Sequence, residues 1–428
     1  MEQTAPGAQA QTPSTDPSRR ERTLALDGVR VLDIATMAAA PWAAAYLAEL
    51  GADVVKVEMP GIGDHQRRWG TPKNGTGLFW KSMGRNKRSI THNLSQPKGA
   101  AHFKRLAAEA DVVIENFRPG TLERWGVGYE VLREINPRLV LLRVTGFGQC
   151  GPYSPRPGFG TLAESLTGFA YLTGQPDGPP TLPNAPLADG LAGITGAYAV
   201  MVALYWRDAR GGSGQAIDLS LCEPLLRLME PALMDYDQFG IARGRIGNRS
   251  DHVAPRNTYQ CGDERWISIS ASAQSIFERL MDAIGRPELR TDPRFAVNSA
   301  RVAHVTELDA IIGEWMRRHS RDDVLALLER AEVAVAPVYD IPDIFNDPHF
   351  AARQSFTPIE DPELGTMRLV NVVPRFSETP GRVRSTGPTL GQHNDEIYDQ
   401  LGITADERAA HRRCVRPGRG RRHRVVPG

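Results

Sequence analysis

Short apolar runs and helical stretches alternate along the first third of the chain. Residues 28–34 (GVRVLDI), 52–58 (ADVVKVE), 111–115 (DVVIE) and 139–145 (LVLLRVT) are rich in Val, Ile and Leu. Their apolar residues run together instead of alternating, as in strands covered on both faces. Helical segments fall between them at 41–50 (PWAAAYLAEL), 97–110 and 121–135, the first with Pro41 near its first turn and Gly51 as its stop. Strand, helix and strand at this spacing predict βαβ units with right-handed crossovers. The fold class read from this is α/β, with a doubly wound, Rossmann-like parallel sheet.

The pattern then changes. Residues 191–207 form a small-residue helix in which Gly196, Ala199 and Ala203 would let neighbours approach closely. A GGSGQ turn at 211–215 leads to a strand candidate at 216–221 and an amphipathic helix at 223–240, interrupted by Pro224 and Pro231. A polar, glycine-bearing loop at 243–257 precedes a hairpin, 258–260 and 266–270, folded about the turn 261–263. Helices follow at 275–284, 308–319 and 322–331, and 337–370 returns towards the first domain. The expected organisation is a disordered lead 1–23, a large domain 24–222, a linker helix 223–244 and a smaller inserted α+β domain 245–340. The chain then returns to the large domain at 341–403 and ends in a basic, disordered tail at 404–428.

Composition narrows the function classes. With 51 basic and 50 acidic side chains, the net charge of +1 gives no general attraction to nucleic acid. The four cysteines are scattered, with no CxxC pair, which argues against a zinc site or disulfide framework and fits a reducing cytoplasm. No clustered His/Cys/Asp set has ligand spacing, so no metal is expected. No apolar run reads as approaching the ~20 residues of a membrane span. No GxGxxG follows Ile34, so a nicotinamide cofactor is not expected on this sheet.

The stretch 156–190 (RPGFGTLAESLTGFAYLTGQPDGPPTLPNAPLADG) carries the candidate chemistry. It ends on a single acid, Asp189, at the mouth of the apolar segment that follows. There, unpaired backbone N–H groups and the helix dipole favour negative charge. Asp189 reads as a helix N-cap, or as a carboxylate held ionised to act as a nucleophile.

Several pieces in fixed order carry a resemblance: GVRVLDI with Pro41 after it, LGADVVKVE, NKRSI, DVVIENFRPG, TGQPDGPP with LADG, GSGQAIDLSL and DPHFAAR. From about Leu26 to Leu401 the chain resembles the class III coenzyme A-transferases of the CaiB/BaiF type, which include formyl-CoA transferase, carnitine CoA-transferase and α-methylacyl-CoA racemase. The resemblance implies that CoA moves from an acyl-CoA donor to a carboxylic acid through an aspartyl-CoA thioester on Asp189. It also implies that Ala38 and Ala39 after the first strand, His92, Asn116, Phe117, Arg118, Arg124, Phe159 and Gly160 lie along bound CoA. No cofactor is implied, because the CoA thioester is itself a substrate. An interlocked homodimer is implied, each chain threaded through a ring formed by the other.

The chain departs from the pattern at Phe159 and Gly160. Formyl-CoA transferase has a tyrosine and a glutamate there, and the racemases a histidine and an aspartate that serve as an acid–base couple. Phe159 and Gly160 cannot move a proton, which disfavours the alternative reading of an acyl-CoA racemase or epimerase. Gly160 is expected to leave room for a larger acyl chain or another acceptor. A non-catalytic acyl-CoA binder is the third reading, and the intact Asp189 speaks against it. Gly244 and Gly247 are candidates for a flexible oxyanion-binding segment, or for an ordinary turn. Arg243, Arg245, Arg249 and Arg256 read as solubilising surface charge or as a carboxylate-binding cluster for a dicarboxylate.

Overall fold

The computed structural model describes residues 24–404 and Glu407. The expected disordered lead 1–23 and nearly all of the tail 404–428 lie outside the described residues. The elements used below are, in chain order, β1 (Arg30–Asp33), α1 (Ala39–Glu49), β2 (Asp53–Glu58), β3 (Lys87–Thr91), α2 (Pro97–Ala108), β4 (Val112–Glu115) and β5 (Val140–Thr145). They continue with α3 (Gly160–Leu166), α4 (Leu187–Ala209), β6 (Ala216–Ser220), α5 (Cys222–Phe239), β7 (Arg256–Gln260) and β8 (Trp266–Ser270). The last are α6 (Gln274–Ala283), α7 (Val305–Met316), α8 (Arg321–Arg330) and β9 (Val335–Pro337).

Contacts gather the chain into two compact units. Among the described residues, one comprises 24–144, Gly193–Leu219 and the segment from Thr357 to Thr404. The other comprises Thr145–Ala192 and Ser220–Phe356. This division differs from the expected one. The helix expected as a linker, α5, counts with the second unit because the residues at its start are tied to that unit's first segment. Leu221 N–H donates to Thr145 O at 2.9 Å, and the Cys222 thiol contacts Gly146 O at 3.4 Å.

The first unit is built on a six-stranded sheet in the order β3-β2-β1-β4-β5-β6. The pairings β2–β3, β1–β2, β1–β4 and β4–β5 are parallel. This is the order of doubly wound dinucleotide-binding sheets, in which the strand order reverses between β1 and β4. The consecutive apolar residues place Val31, Val54, Val112, Val113, Ile114 and Leu141 in the core. Helix α4 packs by small residues: a side chain at Gly193 would meet Trp42 and Ala39 O, and one at Gly196 would meet Leu142, Ala43 and Leu219.

Three expectations change. Strand β3 has the sequence KRSIT, which lacks a continuous apolar run, yet Lys87, Ser89 and Ile90 are buried. Its polar groups find partners inside the fold: Lys87 Nζ lies 2.9 Å from Asp33 Oδ2, and Ser89 Oγ donates to Glu58 Oε1 at 2.7 Å. The expected helix 121–135 is two short ones, Thr121–Arg124 and Tyr129–Ile135, parted where Gly126 takes a φ of +69°. Finally, α4, at 23 residues, is long and apolar enough by length and composition to cross a membrane, contrary to the reading that no segment is. In this fold it carries Arg207, which is buried and paired with Asp111 at 2.9 Å.

The second unit holds a three-stranded antiparallel sheet, β9-β8-β7, with α6, α7 and α8. Phe277, Phe295, Leu308, Met316 and Leu328 fill its core. Arg301 is fully buried there and donates to Ala254 O, Ser272 O, Phe295 O and Gln274 Oε1 at 2.7–3.1 Å. Its forked donors thus satisfy carbonyls that the loops leave unpaired.

At the carboxyl ends of β1 and β2, Lys56 Nζ sits between Asp33 Oδ1 at 3.2 Å and Asp64 Oδ2 at 2.9 Å, all three side chains excluded from solvent. Burial works to raise the Asp33 carboxyl, but Lys56 and Lys87 hold it below the ordinary aspartate value. Burial likewise works to lower Lys56, and Asp33 and Asp64 override it and raise the ammonium. Replacing Lys56 with Met leaves two buried carboxylates short of a cation, a loss of about 3–5 kcal/mol in urea unfolding. The sign for Asp33 is that of a depressed acid. Its contribution is present above the ordinary value of about 4 and is lost as pH falls through the lower folded value, so wild type loses this part of its advantage over Lys56→Met in acid.

Candidate active site

In the first unit, a cavity of about 90 Å³ opens at the carboxyl ends of β1, β2 and β4, beside the switch point between β1 and β4. Open α/β sheets bind ligands in this place. Ile34–Thr36 follow β1 into its wall, Glu58 and Met59 close β2, His92 and Ser95 follow β3, and Phe117 and Trp125 follow β4. Phe117 and Trp125 meet edge to face, with ring centroids 4.9 Å apart. His92 is buried against His102 and Tyr398, with centroids at 5.5 and 5.1 Å. Two of the sequence-derived binding residues, His92 and Phe117, therefore line one cavity. Met59 lines it too.

The others fall differently. Asn116 does not line the cavity: its Oδ1 accepts Thr36 N–H at 2.8 Å and its Nδ2 donates to Thr36 O at 2.5 Å. It clamps the loop after β1 to the loop after β4. Ala38 and Ala39 are buried where α1 begins, after Met37 at a φ of +70°. The Met37 N–H is held by Asp64 Oδ1 at 3.1 Å. Arg118 is exposed and is not part of the cavity wall. Arg124 is exposed and donates to Thr121 Oγ1 at 2.9 Å, within its own short helix.

In the second unit, Asp189 is the third residue of α4, inside its first turn. It is not the N-cap that position alone suggests, although an acid there still meets the positive end of the helix dipole. Helix α3 lies against it. The place a Cβ would take at Gly160 is occupied by the Asp189 carboxylate. This corrects the expectation that Gly160 leaves room for substrate, because the space is filled by Asp189 itself. Four residues on, Glu164 is buried, and its Oε1 accepts Ala188 N–H at 3.1 Å. Phe159, the residue before α3, is more than half exposed.

The glycine and arginine loop is held inside the second unit. Gly247, at a φ of +67°, donates its N–H to Gly174 O at 2.9 Å. That N–H is engaged in a loop-to-loop bond rather than presented as an oxyanion donor. Gly244 is open, with nothing within 4 Å of an added side chain. Arg249 pairs with Asp309 at 2.8 Å and bonds Thr306 Oγ1 at 3.1 Å, while Arg256 donates to Asn248 O and Arg249 O, each at 3.1 Å. Arg243 bonds Asp235 through Nε at 2.8 Å, and Arg245 donates to Tyr171 O at 2.9 Å. The four arginines thus brace the loop and form no common fork. Asp309 also accepts the Tyr259 hydroxyl at 2.6 Å, and burial together with that carboxylate pushes the phenol well above its ordinary value.

Cys222 and Cys261 are buried, and burial raises both thiols, Cys261 to about 11, so neither supplies a thiolate at neutral pH. No group of three or more His, Cys, Asp or Glu among the described residues is placed to hold a metal. The sequence reading missed Glu164, whose spacing of four from Gly160 puts both on one helix face, and it missed Asp64 and Trp125.

Gly160→Ala forces the Asp189 carboxylate out of its place. The expected results are a displaced Asp189 rotamer in a crystal structure of the variant and a stability loss of about 1–3 kcal/mol.

Comparison with known proteins agrees with this architecture. The family model described as CoA-transferase family III matches residues 26–394. The chain is 46% identical over 386 residues to a succinyl-CoA–D-citramalate CoA-transferase of Chloroflexus aurantiacus, covering 90% of this chain and 96% of that protein. It is 34% identical over 383 residues to a succinate–glutarate CoA-transferase of Agrobacterium fabrum, covering 88% and 95%. Among solved structures, a CaiB/BaiF family protein from Brucella suis superposes with a TM-score of 0.79 at 36% identity, covering 89% of this chain and all of that one. The chain belongs to CoA-transferase family III and is an enzyme of the transferase class.

Proposed function

We propose that the protein moves CoA from an acyl-CoA donor to a carboxylic acid acceptor through a covalent aspartyl-CoA thioester on Asp189. The observation that carries this reading is the Asp189 carboxylate seated on α3 at a position where the chain has glycine. The sequence of bonds balances. The Asp189 carboxylate attacks the donor thioester carbonyl, giving an aspartyl–acyl anhydride and CoA thiolate. The thiolate attacks the aspartyl carbonyl, releasing the donor acid and leaving aspartyl-CoA. The acceptor carboxylate attacks that thioester and expels the thiolate again. The thiolate then attacks the acceptor's acyl carbonyl, forming the new acyl-CoA and restoring Asp189. Both intermediates hydrolyse, so the reaction requires water to be kept out.

The cavity beside the switch point is proposed for part of the CoA moiety, with His92 and Phe117 in its wall. For the donor we propose a succinyl-type dicarboxylic acyl-CoA. The support comes from the names of relatives, since the arginines that first suggested it are engaged within the second unit. The racemase alternative gains nothing, as neither Phe159 nor Gly160 carries an ionisable group. A reducing, cytoplasmic setting is proposed from the scattered cysteines.

We also propose the smaller domain as an insertion and the assembly as an interlocked homodimer. Ile194, Tyr198, Val202 and Tyr205 make an exposed apolar stripe along α4 at spacings of four, four and three, and α5 exposes Leu233, Tyr236 and Phe239. Apolar faces of this kind mark interaction surfaces, and a second copy is the proposed cover.

Intact-protein mass spectrometry after incubation with succinyl-CoA is expected to show a CoA-sized adduct on wild type and none on Asp189→Ala. An adduct that persists on Asp189→Ala would contradict the nucleophile assignment. Sedimentation should give twice the chain mass, and a monomer would refute the homodimer.

A further inference from the structure

Helix α3 has its amphipathicity turned inside out. Gly160, Ala163, Glu164 and Thr167 form the buried stripe, at the i, i+3, i+4, i+7 spacing of a packed face. The large apolar residues point the other way: Phe159 is 55% exposed, Leu162 44% and Leu166 56%. Burial of apolar surface alone would turn the leucines inward and the glutamate outward. Instead Glu164 is only 3% exposed, and among the described residues its hydrogen-bond partner is the backbone N–H of Ala188, at 3.1 Å. A carboxylate taken out of water costs free energy unless its hydrogen bonds offset it, so this burial is not explained by packing.

The bond falls where it has most effect on the reactive group. The first N–H groups of a helix have no partner within it. Ala188 is the second residue of α4, and Asp189 is the next. On the same face of α3, one turn earlier, Gly160 leaves the space that the Asp189 carboxylate fills. We infer that Glu164 is a positioning residue for Asp189. It fixes the first turn of α4 by accepting the Ala188 N–H, while Gly160 leaves the carboxylate its place, so that α3 acts as the nucleophile's seat. This rests on the reading of Asp189 as the nucleophile. Group-transfer reactions are sensitive to misplacement on this scale, where about 1 Å costs on the order of 100-fold in rate.

The test compares full-length wild type, Glu164→Gln, Glu164→Ala and Asp189→Ala. Two quantities are measured: the rate of CoA-adduct formation from succinyl-CoA by quenched mass spectrometry, and hydrogen exchange of the amides at 187–191. Glutamine keeps an acceptor oxygen at the same reach and should stay within several-fold of wild type. Alanine should slow adduct formation on the order of 100-fold, leave the Kd for succinyl-CoA unchanged and speed exchange at the start of α4. Where alanine does not fold, Glu164→Asp, one methylene too short to reach Ala188, takes its place with the same expectation. Wild-type rate and wild-type protection in Glu164→Ala would overturn the inference, as would glutamine failing as badly as alanine. If wild type itself forms no adduct, the nucleophile reading fails, and the exchange comparison alone still decides whether Glu164 holds the first turn of α4.

Discussion

The buried ammonium of Lys56 holds the working end of the first unit in place. It joins Asp33, the last residue of β1, to Asp64 in the loop after β2, and it also donates to Ala35 O. Lys87, at the start of β3, reaches the second oxygen of Asp33 and donates to Pro41 O in the first turn of α1 at 2.7 Å. Three strands and two loops are therefore fixed by charges that no water screens. Asp64 in turn accepts the N–H groups of Met37 and Gln66, and its own N–H is held by Glu58 Oε2 at 2.8 Å. The walls of the cavity beside the switch point are parts of this one network.

The second unit uses the same device around Asp309. That carboxylate collects the Tyr259 hydroxyl, the Asn257 amide at 2.9 Å and the Arg249 guanidinium, and so binds the polar loop 243–257 to α7. A charge-bearing loop that reads as solvated surface or as a substrate clamp is instead internal bracing. Arg301, satisfying four acceptors around the Phe277 ring, does the same for the turns on the other side of that core. In both units, long polar side chains take up backbone groups that helices and sheets leave open.

Helix α3 and the outer faces of α4 and α5 share a different feature, which is apolar surface directed at solvent. On α3 the inward face is given to Gly160 and Glu164, so the leucines have nowhere else to go. On α4 the inward face is lined by glycine and alanine against α1 and the sheet, leaving the larger residues outside. Close packing of small residues and display of large ones are two consequences of one arrangement. That arrangement suits the interlocked homodimer proposed above for this protein.

The sheet was legible because parallel strands covered on both faces must be nearly continuous in Val, Ile and Leu, and β1, β2, β4 and β5 are. Strand β3 was not, because its Lys87 and Ser89 become tolerable in a core only once Asp33 and Glu58 stand opposite them. The motifs in their order already pointed to the family, since residue identity and spacing survive in one dimension. The direction of a side chain does not. Asn116 as a clamp, Gly247 as a donor already engaged and the arginines as braces depend on partners up to 80 residues away. The space beside Gly160 belongs to Asp189 for the same reason: two helices separated by residues 167–186 meet there, and only tertiary contact decides what fills the gap.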